Sequence, residues 1–293
     1  MDAWTDIAAA ITAATGKSFS IESRVAIGGG CINAASRVAG NGRTYFVKTN
    51  DAAKAGMFAA EAAGLAEIGA TKTIRVPQPV CHGASRDTSW LVVEFIALGG
   101  ERPGGMRTLG RQLAALHRTT QDRFGWDRDN TIGTTPQTNT PSTDWVAFWR
   151  EHRLGFQLGL AERNGYTGAV QRDGARLMET LPVFFQTYTP RPALLHGDLW
   201  SGNAAFDEAG TPVVFDPAVY YGDREADVAM TELFGGFSGE FYAAYREAYP
   251  LDPGYTVRRD LYNLYHVLNH LNLFGGGYLA QAERLIARLL AAC

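Results

Sequence analysis

The stretch Leu194–Phe206, "LLHGDLWSGNAAF", gathers His196, Asp198 and Asn203 within eight residues, with glycines and Trp200 between them. A second stretch, Thr211–Val219, "TPVVFDPAV", carries Asp216 directly before a proline. The runs "AAF" and "VVF" read as short apolar strands joined by the turn 207–211, and a hairpin of that kind brings its outer ends together. Asn203, before one strand, and Asp216, after the other, are therefore expected side by side. Amide and carboxylate oxygens so arranged suit Mg²⁺, which takes hard oxygen ligands, commonly one or two carboxylates with the oxygens of a bound phosphate. Asp198, five residues before Asn203, then stands at the mouth of the same site, placed to accept a proton from an attacking hydroxyl. Taken singly, each residue has a plain structural reading: Asp198 and Asn203 cap turns, and Asp216-Pro217 ends a strand.

Asp, four residues, Asn, then a further Asp after a hairpin is the order of a kinase catalytic loop. Upstream segments supply the remaining parts. "AIGGGCIN", Ala26–Asn33, lies between two expected strands, where glycines let backbone N–H groups approach phosphates closely, although GxGxxG itself is not matched. Lys48 in "YFVK" alternates with Phe46 and so points to one face of the sheet, where it can hold the α and β phosphates of a nucleotide; a solvent-facing edge lysine is the plain alternative. Glu61 in "FAAEAAGL" sits on the next helix among small residues that allow close approach to the sheet, which makes it the partner for Lys48. Glu67, six residues on, faces elsewhere.

These residues need a frame. After an amphipathic opening helix, "FSIESRVAIGGGCINAASRVAGNGRTYFVKTN" alternates apolar and polar residues and turns at glycines, giving three antiparallel strands with a tight hairpin at Gly40-Asn41-Gly42. A helix is expected from about Ala52 to Ala70, and "VPQPVCHGASRDTSWLVVEFI" offers two more strands around a turn at Ser85–Thr88. Leu98–Gly100 reads as a hinge or connector. Beyond it Met106–Thr119, Asp144–Asn164 and Gly168–Thr180 read as helices, Arg123–Thr143 as a long loop, and the chain is helical again from Asp223 onward. The expected fold is α+β and bilobal: a small antiparallel five-stranded lobe with one key helix, residues 1–97, and a mostly helical lobe, residues 98–293.

Composition narrows the function. Lys and Arg number 27 against 30 Asp and Glu, a formal charge of -3, so nucleic acid is not an expected partner. An apolar fraction of 46% supports a sizeable core, and no apolar run is long enough to span a bilayer. The opening residues are unlike a secretory signal, and Cys31, Cys81 and Cys293 match neither a disulfide framework nor a zinc spacing, so the cytoplasm is the expected location.

With these residues in place, the chain resembles the fructosamine kinase family, the ketosamine-3-kinases, relatives of the aminoglycoside phosphotransferases within the protein-kinase-like fold. The motifs that carry the resemblance are "GGGCIN", "YFVK", "FAAEAAGL", "LLHGDLWSGN", "FDPAVYYGDREADVAM" and "YHVLNHLNLFG", from about Gly28 to Gly275. It implies ATP and Mg²⁺ as cofactors, Asp198 as catalytic base, Asn203 and Asp216 as magnesium ligands, and Lys48 paired with Glu61. It also implies a nucleotide loop made of Gly28, Gly29, Gly30, Cys31, Ile32 and Asn33, with the backbone of Glu94, Phe95 and Ile96 reading the adenine edge. Asp216-Pro217-Ala218 stands where protein kinases have Asp-Phe-Gly, and no Ala-Pro-Glu segment follows, so activation-loop control is not implied.

Within those motifs His196 is expected to hydrogen-bond the loop backbone, and Asp227 to brace the catalytic loop or cap a helix. Trp200 offers an aromatic face to a sugar or to a lysine arm, or else packs in the core. Asp223 and Glu225 are candidates to bind a substrate amine, although acids at a helix start are common for dipole reasons alone. His266, Asn269 and His270 share one helical face and form either a polar wall of the substrate cleft or a buried network. Cys31 is a candidate redox switch, or the link in a redox-dependent dimer of an otherwise monomeric chain; a small residue filling a tight turn is its plain reading. The implied reaction is ATP-dependent phosphorylation of the 3-hydroxyl of a ketosamine, a ribulosamine or fructosamine on lysine or a small amine, after which the 3-phosphate eliminates and frees the amine. An aminoglycoside, choline or other small-alcohol kinase of the same fold is the alternative, and a non-catalytic nucleotide-binding scaffold is a third.

Overall fold

The computed structural model describes residues 2–28 and 32–293. Gly29, Gly30 and Cys31, three of the residues expected to form the nucleotide loop, lie outside the described residues.

The chain opens with α1 (Ala3–Thr15), capped by the Asp2 carboxylate on the Trp4 amide and ended by the left-handed Gly16. Strands β1 (Ser23–Ile27), β2 (Ala34–Gly40) and β3 (Arg43–Asp51) follow as an antiparallel meander. The β2–β3 turn is Asn41-Gly42 with φ of 49° and 70°, both positive as a two-residue hairpin of matching twist requires. Next come α2 (Ala55–Thr71), β4 (Pro79–Ser85), β5 (Thr88–Glu94) and a two-residue strand β6 (Leu98–Gly99). The five long strands form one sheet in the order β1-β2-β3-β5-β4. Ile7 and Ile11 of α1 bury against Phe19, Val38, Tyr45, Val47, Trp90 and Val92. The other apolar contribution comes from Phe58, Leu65 and Ile68 of α2, which packs on β4 and β5.

The remaining elements are α3 (Gly105–Leu116), β7 (Asn130–Ile132), β8 (Thr135–Gln137), α4 (Trp145–Trp149), α5 (Phe156–Arg163), α6 (Ala169–Thr180), β9 (Ala193–Leu195), β10 (Ala204–Asp207), β11 (Pro212–Val214), β12 (Tyr220–Gly222), α7 (Glu225–Leu233), α8 (Gly239–Ala248), α9 (Tyr255–Phe274) and α10 (Leu279–Ala291). Two compact units result: Met1–Gly105 with Ala204–Pro217, and Met106–Asn203 with Ala218–Cys293.

Three sequence expectations change. Leu98–Gly100 is not a free connector, because Leu98 and Gly99 pair with Asp207 and Phe206 of β10 in a second small sheet of the first unit. The segment Arg123–Thr143 is not simply a loop: it contains the β7–β8 hairpin, and Asn130, Gln137 and Asn139 are buried with their amides hydrogen-bonded, which satisfies backbone that water would otherwise serve. The helix expected over 144–164 is interrupted by a π-helical turn, Arg150–Gly155. A Cβ on Gly155 would sit 2.6 Å from the Arg150 carbonyl oxygen five residues back, so the wider turn closes only because residue 155 is glycine.

Close backbone packing in the second unit has a measurable consequence. A Cβ on Gly110 of α3 would lie 2.4 Å from the Phe241 carbonyl oxygen of α8. Alanine normally gains about 1 kcal/mol over glycine inside a helix, but overpacking against backbone costs about 1–3 kcal/mol. Gly110→Ala is therefore expected to lower the urea midpoint.

Burial also sets a pH response. His266 of α9 is 4% exposed, its Nδ1 has no hydrogen-bond partner among the described residues, and burial, aided by neighbouring His270, pushes its pKa down to about 3. The folded pKa lies below the unfolded value, so the unfolded state binds the proton first and stability falls as pH drops from about 6.5 toward 3. Between pH 7 and pH 5 this one residue is expected to remove about 2 kcal/mol. Urea titrations of the parent and His266→Leu at the two pH values check it: the variant should lose less stability over that interval.

Candidate active site

In the first unit, β3 places Lys48 on the sheet face opposite Tyr45 and Val47, in register with Leu91 of β5. Its side chain is buried, and Nζ donates to Glu61 Oε1 at 2.6 Å and to Asp216 Oδ1 at 2.5 Å. Burial alone would lower the Lys48 pKa, but the two carboxylates outweigh it and hold the ammonium well above the ordinary lysine range. Burial raises the Glu61 pKa, and the Lys48 charge only partly offsets that rise. Glu61 reaches the lysine because Ala60, Ala62 and Gly64 around it are small and buried. Asp216 adopts a left-handed backbone, φ 59°, which an aspartate tolerates better than most side chains, and about half of its side chain stays accessible.

The hairpin before Asp216 is set by β10 and β11, with Ala204 opposite Val214 and Phe206 opposite Pro212. Arg75 fastens it: the guanidinium donates to Asp207 Oδ2 and, at 2.9 Å, to Glu94 Oε1, while the Arg75 carbonyl accepts from Val214. Glu94 thereby has its carboxylate engaged and its own backbone N–H given to Gln78, which leaves Phe95 and Ile96, beyond the end of β5, as the freer part of the expected adenine segment. Near the C-terminal end of β3, Asn50 donates to the Ile32 carbonyl and to Asn33 Oδ1, fixing the end of the glycine loop. Among the described residues, no atom beyond its chain neighbours lies within 4 Å of where a Cβ on Gly28 would sit.

In the second unit the loop after β9 carries Asp198 and Asn203. Gly197 has φ 83°, and a Cβ there would fall 2.1 Å from the Ala218 carbonyl oxygen, so only glycine fits. Asp227, in the first turn of α7, accepts from the His196 N–H at 2.6 Å and the Gly197 N–H at 2.8 Å, with His117 Nε2 at 3.1 Å. Burial pushes the Asp227 pKa up, yet His117, His196 and the backbone donors together hold it below the usual carboxylate range. His196 is fully buried, and its Nδ1 accepts from the Asp198 amide at 3.3 Å. The Asn203 amide nitrogen donates to the Asp198 carbonyl oxygen at 2.9 Å and to Asp198 Oδ2 at 3.3 Å, which leaves the Asn203 side-chain oxygen for another partner.

Trp200, 38% exposed, meets Phe234 edge-on at 6.4 Å; Phe234 in turn lies 4.6 Å from His270, which also contacts Phe274 and Tyr278. The His270 Nδ1 is engaged with the His266 carbonyl oxygen at 2.8 Å. Asp223 and Glu225, expected as contacts for an amine, lie instead in the interior. Asp223 accepts from the Tyr188 and Tyr262 hydroxyls at 2.8 and 2.5 Å, and Glu225 holds Arg258 in a two-point pair at 2.7 and 3.1 Å. Their oxygens face protein donors because the turn that opens α7 is itself core. His266 is likewise interior.

Sequence reasoning missed Arg75 and Asp207, His117, and the buried amides of β7 and β8. Asp207 reads only as a turn residue, His117 ends a helix with nothing beside it in sequence, and a segment rich in Thr, Asn and Pro looks solvated whether or not its amides are internal.

The profile of the fructosamine kinase family matches residues 3–292. A "probable ketoamine kinase" from Synechocystis sp. is 48% identical over 98% of this chain and 97% of its own length. A chloroplastic protein-ribulosamine 3-kinase from Arabidopsis thaliana is 46% identical over 92% of this chain and 83% of its own. Among solved structures, a "putative fructosamine-3-kinase" from Haemophilus somnus matches with TM-score 0.90 at 28% identity, covering 99% of this chain and all of that one. An aminoglycoside phosphotransferase, at TM-score 0.61 and 16% identity over 97% of this chain, shares the protein-kinase-like fold. A profile that spans nearly every residue, together with relatives of almost one-half identity over nearly the full length, settles the lineage: the chain belongs to the fructosamine kinase family.

Proposed function

We propose that the protein is an ATP-dependent kinase that phosphorylates the 3-hydroxyl of ketosamines, ribulosamines or fructosamines on lysine or on small amines, and so initiates deglycation. The observation that carries the reading is Lys48 held between Glu61 and Asp216, an arrangement with a clear use on a nucleotide, found in a chain whose relatives bear ketoamine and ribulosamine kinase names. We read residues 1–97 as the nucleotide-binding lobe and residues 98–293 as the acceptor lobe; the compact units differ from these bounds in that residues 98–105 and 204–217 cluster with the first.

In this reading Gly28 to Asn33 cover the phosphates, Lys48 contacts the α and β phosphates with Glu61 aligning it, and the backbone around Glu94, Phe95 and Ile96 reads the base. Asn203 and Asp216 fit Mg²⁺ on the chemistry of their donors: both are hard oxygens, the Asn203 oxygen is released by the amide's engagement with Asp198, and the Asp216 side chain is half accessible. When bound, the metal neutralises charge on the transferring phosphoryl group. Asp198 orients the attacking hydroxyl, and because phosphoryl transfer passes through a loose transition state it accepts the proton late. Trp200 supplies an apolar face beside Asp198 for the sugar or the amine's alkyl arm. The 3-phosphate eliminates afterwards to free the amine.

ADP release with ATP, Mg²⁺ and a ribulosyl-lysine peptide tests the assignment. Asp198→Asn is expected to lose activity by a factor of ~100 or more, and equal rates for the two proteins would remove Asp198 from this role. Lys48→Met leaves Glu61 buried and unpaired, which costs about 3–5 kcal/mol, so both thermal midpoint and kcat/KM for ATP should fall. Adding Glu61→Leu should restore the midpoint, since an apolar pair of similar volume replaces a buried ion pair at little cost, while activity stays low.

A further inference from the structure

Arg153 lies in the π-helical turn between α4 and α5, with no exposed surface. Among the described residues no carboxylate stands within ion-pairing distance of it. A buried guanidinium without a counter-charge is costly, and the cost is offset in part here, in two ways, with Nε left without a partner among the described residues. The group is stacked against aromatic rings, 4.7 Å from Phe148, 4.2 Å from Tyr220 and 5.8 Å from Tyr265. It also donates to three oxygens, the Thr138 carbonyl at 2.7 Å, the His152 carbonyl at 3.1 Å and Asn139 Oδ1 at 2.7 Å.

Beyond Asn139 the hydrogen bonds run one way. The Asn139 Nδ2 donates to Asn130 Oδ1 at 2.9 Å, and the Asn130 Nδ2 donates to the Val219 carbonyl at 2.8 Å. Gln137 joins in parallel: it receives the Tyr265 hydroxyl at 2.7 Å and donates to Asn130 Oδ1 at 2.8 Å and to the Ala218 carbonyl at 3.2 Å. An amide side chain can bind in either of two orientations, whereas a guanidinium only donates and a backbone carbonyl only accepts. Arg153 therefore fixes the polarity at one end, Ala218 and Val219 fix it at the other, and every amide between is oriented, each bond strengthening the next. Of the two residues at the receiving end, Ala218 holds the catalytic loop directly, its amide donating to the His196 carbonyl at 2.8 Å, and the strand that follows Val219 pairs Tyr220 and Tyr221 with Leu195 and Leu194.

We infer that Arg153 is a positioning residue for phosphoryl transfer, acting through Asn139, Asn130 and Gln137 to fix the Ala218–Val219 backbone against which the Asp198 loop is registered. The inference rests on the reading of Asp198 as the base. It also accounts for the π turn, since the wider turn closed at Gly155 contains the residue whose guanidinium occupies the aromatic box.

The test uses Arg153→Met, which keeps bulk but no donor, and Arg153→Lys, which keeps the charge but not the planar fork. Each is compared with the parent and with Asp198→Asn in the ketosamine assay, in thermal unfolding, and by hydrogen exchange of the Ala218 amide. Arg153→Met should lower kcat by about tenfold or more with KM for ATP within about twofold of the parent, and should speed exchange at Ala218; Arg153→Lys should fall between. A lowered thermal midpoint with parental kcat well below the transition, or unchanged Ala218 exchange, overturns the inference. Should Arg153→Met not fold, Arg153→Lys decides by the same readouts. If Asp198→Asn keeps the parental rate, the assignment of the base is what fails, and exchange at Ala218 still judges the positioning.

Discussion

A lysine ammonium taken out of water must be neutralised at once, and much of the first unit follows from that demand. Lys48 is 7% exposed, and a lone charge so placed would cost several kcal/mol even after relaxation. Two carboxylates meet it, and each imposes a structural condition. Glu61 needs a helix lying close on the sheet, which the small residues Ala60, Ala62 and Gly64 allow. Asp216 needs a left-handed backbone at the end of a hairpin, and that hairpin needs an anchor, which Arg75 provides by joining Asp207 to Glu94 at the end of β5.

The second unit solves an analogous problem with the sign reversed. Asp227 is a buried carboxylate whose charge is stabilised by the His196 and Gly197 amides and by His117. Those donors have fixed directions, so the requirement that stabilises the charge also fixes the loop carrying Asp198 and Asn203. Gly197 completes the fit, because its conformation and its distance from Ala218 exclude any side chain. In both units a buried charge with directional partners sets backbone geometry, while the Asp216 side chain in one and Trp200 in the other remain partly exposed.

The parts of this arrangement that sequence reveals are those encoded locally. The five strands announce themselves by alternation, the β2–β3 turn by Asn41-Gly42, and α2 by its periodicity. Lys48 and Glu61 could be paired because strand and helix periodicities place one side chain on a known face and the other among small residues. What stayed hidden depends on distant partners. Asp223 and Glu225 have the look of helix-start acids, and only the arrival of Tyr188, Tyr262 and Arg258 from 35 or more residues away in Asp223's case, and 33 in Glu225's, makes them interior. Asn130, Gln137 and Asn139 sit in a segment whose composition suggests solvent, and their burial is decided by Arg153, Tyr265 and the Ala218–Val219 backbone. The π turn leaves no periodic trace beyond an ordinary helix pattern with two glycines, Gly155 and Gly159, in it.

The first unit is also discontinuous along the chain, since Ala204–Pro217 joins it only after Met106–Asn203 has been laid down in the other unit. On the ribosome, at about 5–20 residues per second, Lys48 and Glu61 emerge many seconds before Asp216 exists, and strand β6 has no partner until β10 appears. The nascent first unit therefore waits with an incomplete ion cluster and an open strand edge, and its closure is tied by covalent order to the synthesis of most of the second. Neither unit corresponds to a contiguous segment that could be cut out and expressed with its own chemistry intact.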